Sequence, residues 1–441
     1  MKKIKYLTFN PSQLLVAVFF LFIIFGSILL MLPFSTIGTI SYIDALFTAT
    51  SAMTVTGLVV VDTGSDFTIF GQIVILALIQ AGGLGIMSFA VMIYMALGRK
   101  VGFKRRIEIK QALNQSSLDG VLELVKSLFI YSFIIEFFAM MILAIRWVPE
   151  FGWVEGLYYS LFHSISAFNN AGFSIWSDSL MVYVGDPIIN LIITFLFITG
   201  GIGFTVLIDL WHKRSYRRLT LHSKLMIVGT LIVNVGAMLV FFVLEYQNPN
   251  TLGTLTSWKD QLWASYFQAV TPRTAGFNTL DISSLNDSTI TMMLLLMFIG
   301  AGSASTGGGI KLTSFLILVL SIIPLLQQKS QINIGRRSIK PAIIFRALSI
   351  SILSVLLILT AIFILTISED APFIKIVFEV VSAFGTVGLS MGITAELSPL
   401  GKLIIIFVMF FGKLGPLNLA FSLSKPKQDK VRYPAADILT G

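Results

Sequence analysis

The chain contains no cysteine. This excludes a disulfide framework, a thiolate nucleophile and any cysteine-ligated zinc or iron–sulfur centre. Histidine is scarce, with three residues in all, and His212 and His222 lack metal-ligand spacing. Charge is sparse too. Asp, Glu, Lys and Arg make up 12% of the residues against 56% hydrophobic, whereas a soluble domain carries about a quarter charged. There is no HExxH, no G-x-S-x-G with a histidine partner and no pair of acids within the apolar runs, so an enzymatic reading has no groups to rest on. Nor is there a glycine-rich turn between strand and helix for a bound nucleotide.

What is present is apolar length. Mean hydropathy is +0.88, and runs of roughly 20 apolar residues read as membrane spans. Lys2, Lys3 and Lys5 precede a run from about Leu14 to Leu32 that is too long for a signal-peptide core and lacks a cleavage site. Further spans are expected at Phe70–Leu97, Val121–Ile145, Ile188–Trp211, Leu225–Leu244, Met292–Leu326, Ile343–Ile367 and Leu400–Leu423. The net charge of +9 follows topology rather than nucleic-acid binding. Of the 31 lysine and arginine residues, 23 fall at the amino terminus and in Arg99–Lys110, Lys213–Lys224, Lys329–Arg346 and Lys425–Arg432, all on one expected face. The opposite face holds acids such as Asp44, Asp62, Glu150 and Asp186. The positive-inside rule then places both termini in the cytoplasm.

Between the spans of each pair lies a recurring segment: TSAMTVTGL, SAFNNAGF, TPRTAGF and SAFGTVGL, anchored on Gly57, Gly172, Gly276 and Gly388 at nearly equal intervals. Four copies of one unit around a shared axis are expected. The fold class is thus an all-α polytopic membrane protein: four helix–pore loop–helix repeats with pseudo-four-fold symmetry, eight transmembrane helices plus four pore helices. The divisions are 1–110 (pore loop 44–62), 111–224 (155–178), 225–340 (258–281, with an intramembrane loop at 300–312) and 341–424 (372–392), then a tail at 425–441. A glycine carbonyl facing a water-filled axis can replace part of an ion's hydration shell, and a helix ending there turns its negative end toward a cation. The expected filter positions are Val55, Thr56, Gly57, Asn170, Ala171, Gly172, Thr274, Ala275, Gly276, Thr386, Val387 and Gly388, with Thr54 and Asn169 available to hold the loops by hydrogen bonds.

These four segments resemble the filter segments of the Trk/Ktr/HKT superfamily of potassium transporters, and the resemblance, which covers nearly the whole chain, is greatest to the membrane subunit of bacterial Ktr systems. It implies potassium passage, homodimeric assembly and a cytosolic ring of RCK-domain proteins that binds nucleotide, with ATP opening the pore. No cofactor is expected in this chain, K+ is the cargo, and Na+ is a possible activator. A serine at the first filter glycine accompanies sodium selectivity in that superfamily, and this chain retains Gly57. A sodium-coupled or sodium-conducting transporter is the alternative.

The second helix of each pair carries its own small residues: QAGGLG (Gln80–Gly85), TGGIG (Thr199–Gly203), GAGSASTGGGIK (Gly300–Lys311) and GKLGPL (Gly412–Leu417). In the first two, close helix approach is the expected role. The third is a poor helix, because each interior glycine costs about 1 kcal/mol relative to alanine. A break is expected across Gly300, Ala301, Gly302, Ser303, Ala304, Ser305, Thr306, Gly307, Gly308 and Gly309, forming a loop beneath the filter; the resemblance makes this region a gate. GGGIKLT does not meet the phosphate-loop pattern. Lys311 and Lys413 are either gate contacts or snorkelling side chains; the superfamily usually has arginine at the second position. Glu136, remote from the motifs in sequence, is expected to be structural, paired with a neighbouring helix or in a packing contact; Arg273 to turn from the ring and pair with an acid, Asp260 or Asp281; and His163 to be structural. The basic loops and the tail offer surfaces for a partner or for anionic lipid.

Overall fold

The computed structural model describes residues 11–85, 88, 121–329, 331–334 and 337–415. The basic segments at Lys2–Lys5 and Arg99–Lys110, the tail at 425–441 and the later parts of the spans expected at Phe70–Leu97 and Leu400–Leu423 lie outside these residues. The chain is mostly helical. Its α-helices are α1 (Pro11–Leu30), α2 (Tyr42–Thr54), α3 (Ile69–Gly83), α4 (Val121–Phe151), α5 (Trp153–Phe168), α6 (Pro187–Ile202), α7 (Phe204–Lys213), α8 (Leu221–Glu245), α9 (Trp258–Val270), α10 (Asp287–Phe298), α11 (Leu312–Leu326), α12 (Pro341–Ser368), α13 (Phe373–Gly385) and α14 (Pro399–Leu414). A two-stranded antiparallel ladder, β1 (Asn333–Ile334) with β2 (Arg337–Ser338), lies between α11 and α12.

Among the described residues, α1, α4, α8 and α12 supply four helices long and apolar enough to cross a membrane, or five if the bent pair α6–α7 is counted as one. Their outward residues are large and apolar: Phe20, Leu21 and Phe25 on α1, Phe137 and Phe138 on α4, Leu231 and Ile232 on α8, and Leu356 and Leu359 on α12 are all exposed. A surface of that kind suits lipid, in which apolar burial no longer drives association and close packing and hydrogen bonds take over.

Helix starts follow local chemistry. Asp186 caps α6 by accepting from the backbone N–H groups of Ile188 and Ile189, with Pro187 in the first turn. Thr68, Thr220 and Ser398 cap α3, α8 and α14 through their hydroxyls. The span expected at Ile188–Trp211 is not continuous. It bends by 96° between α6 and α7, at Gly203 with φ 106°. TGGIG is therefore a break rather than only a packing stripe, because a positive φ at Gly203 ends the helix where the chain meets the loop after α10. The apolar stretch Met292–Leu326 is likewise divided, between Phe298 and Leu312.

The four short helices α2, α5, α9 and α13 carry the motifs and are buried at matching places. Phe47, Phe162, Phe267 and Phe378 are fully enclosed, as are Leu58, Phe173, Phe277 and Leu389 just past the anchor glycines. A glycine on the following helix seats against the end of three of them. A Cβ at Gly82, Gly200 or Gly412 would collide with the carbonyl oxygen of Met53, Phe168 or Phe384, each four residues before its anchor glycine.

Candidate functional site

Each short helix ends in a turn of the same handedness. Val55, Asn170, Thr274 and Thr386 adopt φ of 51°, 58°, 69° and 50°, and the glycines two residues on adopt 90°, 68°, 82° and 91°. Three of those four non-glycine residues are β-branched, for which the left-handed region is costly, about 1–3 kcal/mol each. Hydrogen bonds hold them there. The N–H groups of Thr56, Ala171 and Val387 reach back to the carbonyls of Ser51, Ser166 and Ser382, and those of Val55, Asn170 and Thr386 to Ala52, Ala167 and Ala383; this is the Schellman closure of a helix. The third turn differs. Ala275 N–H bonds the carbonyl of Thr271 instead, so the accepting carbonyl stands one residue nearer the glycine than in the other three.

Hydroxyls brace the same turns. Ser51 and Ser382 accept from the N–H of Gly57 (3.1 Å) and Gly388 (3.2 Å). Ser166 and Thr271 instead donate to the carbonyls of Phe173 (2.7 Å) and Phe277 (2.5 Å). Thr271 fills the serine's role from the next position along, in step with the shifted carbonyl.

The four turns close into a ring. A Cβ at Gly57 would strike the carbonyl oxygen of Ala171, and one at Gly276 that of Val387. At Gly172 it would lie 2.9 Å from the carbonyl oxygen of Ala275 and 2.7 Å from Cα of Gly276. At Gly388 it would strike the carbonyl oxygen of Thr56, 2.9 Å from Cα of Gly57. The order is therefore first, second, third, fourth, first. Each glycine meets the backbone of the next copy, and both its positive φ and the lack of space exclude a side chain. Thr56 turns its hydroxyl back to that of Thr54 at 2.7 Å.

Residues 299–311 run between α10 and α11 against this ring. Thr306 Oγ1 donates to Asn170 Oδ1 (2.7 Å), Gly308 N–H to Thr386 Oγ1 (2.9 Å), and Asn170 Nδ2 to Thr274 Oγ1 (3.2 Å). The loop also rests on the α6–α7 break. Gly302 N–H bonds Gly201 O (2.7 Å), Thr306 N–H bonds Gly200 O (3.2 Å), and Phe204 N–H bonds Ala304 O (2.8 Å). A side chain at Gly203 would strike Ser303 O at 2.5 Å, which explains glycine at the bend. Gly309 N–H reaches Gly412 O of α14 (3.3 Å). Lys311 Nζ donates to Gly307 O at 2.6 Å, and Lys413 Nζ donates to Thr306 O. Both lysines thus hold loop carbonyls, Lys413 from the fourth unit. Ser303 bonds Thr313, Ser305 bonds Gly302 O, and Gly300 and Ala301 pack inside the loop's own turns.

Some expectations require correction. Arg273 does turn from the ring, but Nη1 donates to Asn234 Oδ1 at 2.9 Å and makes no ion pair with Asp260 or Asp281. Asp281 is taken up by Ser283 and Ser284. Asn234 lies across on α8, a contact that no sequence spacing encodes. Glu136 is not remote from the motifs: its carboxylate meets Asn169 of the second turn (3.3 Å) and Gln80 of α3 (3.1 Å to each oxygen).

His163 is structural. It contacts Tyr159 O and Ser174 Oγ and stacks on Trp176 at 4.4 Å. His212 contacts the carbonyl of Ile208 on its own helix. A further buried acid escaped the sequence reading. Glu379 on α13 accepts from Ser390 (2.7 Å) and Thr394 (2.5 Å), tying the leg beyond Gly388 to its helix. Its counterpart nine residues before the second glycine is His163, bonded to Ser174 in the same way, and that polar recurrence within apolar helices was the available signal. Among the described residues, no three His, Asp or Glu side chains converge on a metal site.

The family model described as TrkH, cation transport protein, matches residues 5–433. The chain is 59% identical over 440 residues to the Ktr system potassium uptake protein B of Bacillus subtilis, covering 100% of this chain and 99% of that protein. It is 42% identical to the protein of the same name in Vibrio alginolyticus, over 94% of this chain and 92% of that one. The potassium/sodium uptake protein NtpJ of Enterococcus hirae is 36% identical, over 98% and 97%. Among solved structures, the potassium transporter TrkH from Vibrio parahaemolyticus superposes with a TM-score of 0.75 at 22% identity, covering 95% of this chain and 86% of that one; this likeness speaks for the fold.

Proposed function

We propose, from the premise that this chain belongs to the TrkH family of cation transport proteins, that it is the potassium-translocating membrane subunit of a Ktr-type uptake system. The observation that carries the reading is the closed ring of Gly57, Gly172, Gly276 and Gly388, each against the next copy's backbone. Carbonyls of those glycines and of Thr56, Ala171, Ala275 and Val387, with Val55, Asn170, Thr274 and Thr386 behind them, form the filter in this proposal. Dehydrated K+ is held by carbonyl oxygens, as in filters of this kind, while the C-terminal ends of four short helices add partial negative charge. Residues 300–309 form an intramembrane gate, held shut through Lys311 and Lys413, and flow is driven by the membrane potential.

The proposed layout is four repeats (1–110, 111–224, 225–340 and 341–424) with eight spans, four pore helices and a cytoplasmic tail. Both termini lie in the cytoplasm, two copies form a homodimer, and a nucleotide-binding RCK ring docks on the inner face. The relatives of 59% and 42% identity, both named as potassium uptake proteins, support potassium as cargo. All four ring positions are glycine, which favours potassium over the sodium alternative.

The test is rubidium uptake into proteoliposomes, competed by potassium and then sodium, with Gly57→Ser alongside. Potassium should compete far better than sodium, and the difference should collapse in the variant. Equal competition in the native protein, or indifference to the substitution, overturns the reading.

A further inference from the structure

Behind the second turn, three side chains from three helices form one buried network. Glu136 of α4, 5% exposed, accepts from Gln80 Nε2 of α3 at 3.1 Å to each carboxylate oxygen. Asn169, which follows the last residue of α5, donates through Nδ2 to Gln80 Oε1 (2.7 Å), to Glu136 Oε1 (3.3 Å) and to the carbonyl of Ile165 (2.9 Å). The backbone of Glu136 is itself fixed, its carbonyl accepting from Ser164 Oγ at 2.6 Å. Gly83 presses on the same amide: a Cβ there would lie 2.6 Å from Asn169 Cγ. Among the described residues, no lysine or arginine forms an ion pair with Glu136.

A carboxylate in this position does something an amide cannot. Both of its oxygens accept here, where an amide would offer one, so both neighbouring amides present nitrogen to it. Gln80 is thereby obliged to turn its oxygen to Asn169, and Asn169 its nitrogen to Gln80. One acid thus backs the orientation of two amides, that of Asn169 together with the Ile165 carbonyl. The next residue, Asn170, holds the left-handed turn and touches Thr274 of the third turn and Thr306 of the loop. A misoriented Asn169 is therefore transmitted to the ring glycine, Gly172, within three residues.

We propose that Glu136 is a positioning residue for the second turn, and that through Asn169 it sets how strongly the ring discriminates K+ from Na+. The inference rests on the reading of the ring as the filter. Ion discrimination depends on carbonyl placement and stiffness, and a hydrogen-bonded support directly behind a site is what holds such geometry.

The test is rubidium uptake into proteoliposomes competed by potassium or sodium, on wild type, Glu136→Gln, the exchange variant Gln80→Glu/Glu136→Gln, and Gly172→Ser, with thermal melts to show folding. Glu136→Gln should lower the ratio of potassium to sodium competition by roughly tenfold, the scale of one buried donor left without its acceptor. The exchange variant keeps one carboxylate and one amide facing Asn169 and should restore most of the ratio. A folded Glu136→Gln protein with the native ratio overturns the inference. So does a folded exchange variant whose ratio stays collapsed, and this arm decides alone if the single variant does not fold. If Gly172→Ser changes the ratio while Glu136→Gln does not, the inference alone fails. If neither changes it, the filter reading fails with it.

Discussion

Lys402 on α14 donates to the carboxylate of Asp44 on α2 at 2.7 Å, joining residues 358 positions apart in the chain. Both side chains are largely buried, at 15% and 18% exposure, and Ser41, the cap of α2, bonds the other carboxylate oxygen. This contact sits where the last unit meets the first, so it closes the ring at its seam.

Removing either partner should loosen that seam. Lys402→Met and Asp44→Asn are each expected to lower the melting temperature, and the double variant should fall by less than their sum, with a coupling of about 1–2 kcal/mol. Thermal unfolding in detergent of the four proteins measures it. A coupling near zero would mean the pair contributes nothing to closure.

Gly276→Ala should abolish most uptake while the protein still inserts. The new methyl would strike the carbonyl oxygen of Val387 and would require an alanine at φ 82°, a combination no rotamer relieves. Rubidium flux below a tenth of wild type is expected. Flux near the native level would show that the third position tolerates a side chain.

Lys413→Gln should raise basal flux several-fold, because the loop then loses the cation that holds Thr306 O. Deleting Ser303–Thr306 should raise it further. Lower flux in both variants, with normal folding, would show that the loop supports the passage rather than obstructs it.

Acid should release the turn after Asn278. Burial alone would raise the Asp281 carboxyl, but bonds from Ser284 and Ser283 outweigh it and hold the group below its ordinary 3.8. A depressed carboxyl contributes stability that is fully present above the unfolded value and is lost as pH falls through the folded one. The protection of residues 279–286, their exchange rates referred to the intrinsic rate at each pH, should therefore fall below about pH 4, and Asp281→Asn should show lower protection at neutral pH with little further acid dependence. Equal acid response in both proteins would remove Asp281 as its source.

Much of the site was legible because the motif repeats. Four glycines at matched positions imply matched turns, and the structure brings Gly57, Gly172, Gly276 and Gly388 together. Less legible was whatever depends on contact between distant helices. Asn234 meets Arg273, and Gln80 meets Glu136, across helix pairs whose rotation about their own axes the pattern does not determine. The 96° bend at Gly203 was hidden because TGGIG serves helix approach equally well; only the loop lying against it decides between the two. The one-residue shift at Thr271 was hidden for a simpler reason: an alignment on glycine places Val270, not Thr271, beside the three serines.

Because the four turns belong to a single polypeptide, symmetry is not enforced on them. An assembly of identical subunits would receive every substitution four times over, and a buried arginine such as Arg273 would have to be housed in all four quarters. Here one quarter carries Arg273, another Glu136 and another Glu379, and a single loop touches three of the four turns. Heredity can adjust each quadrant alone, so on the proposed reading of ring and loop, ion choice and ion release can be tuned by separate mutations.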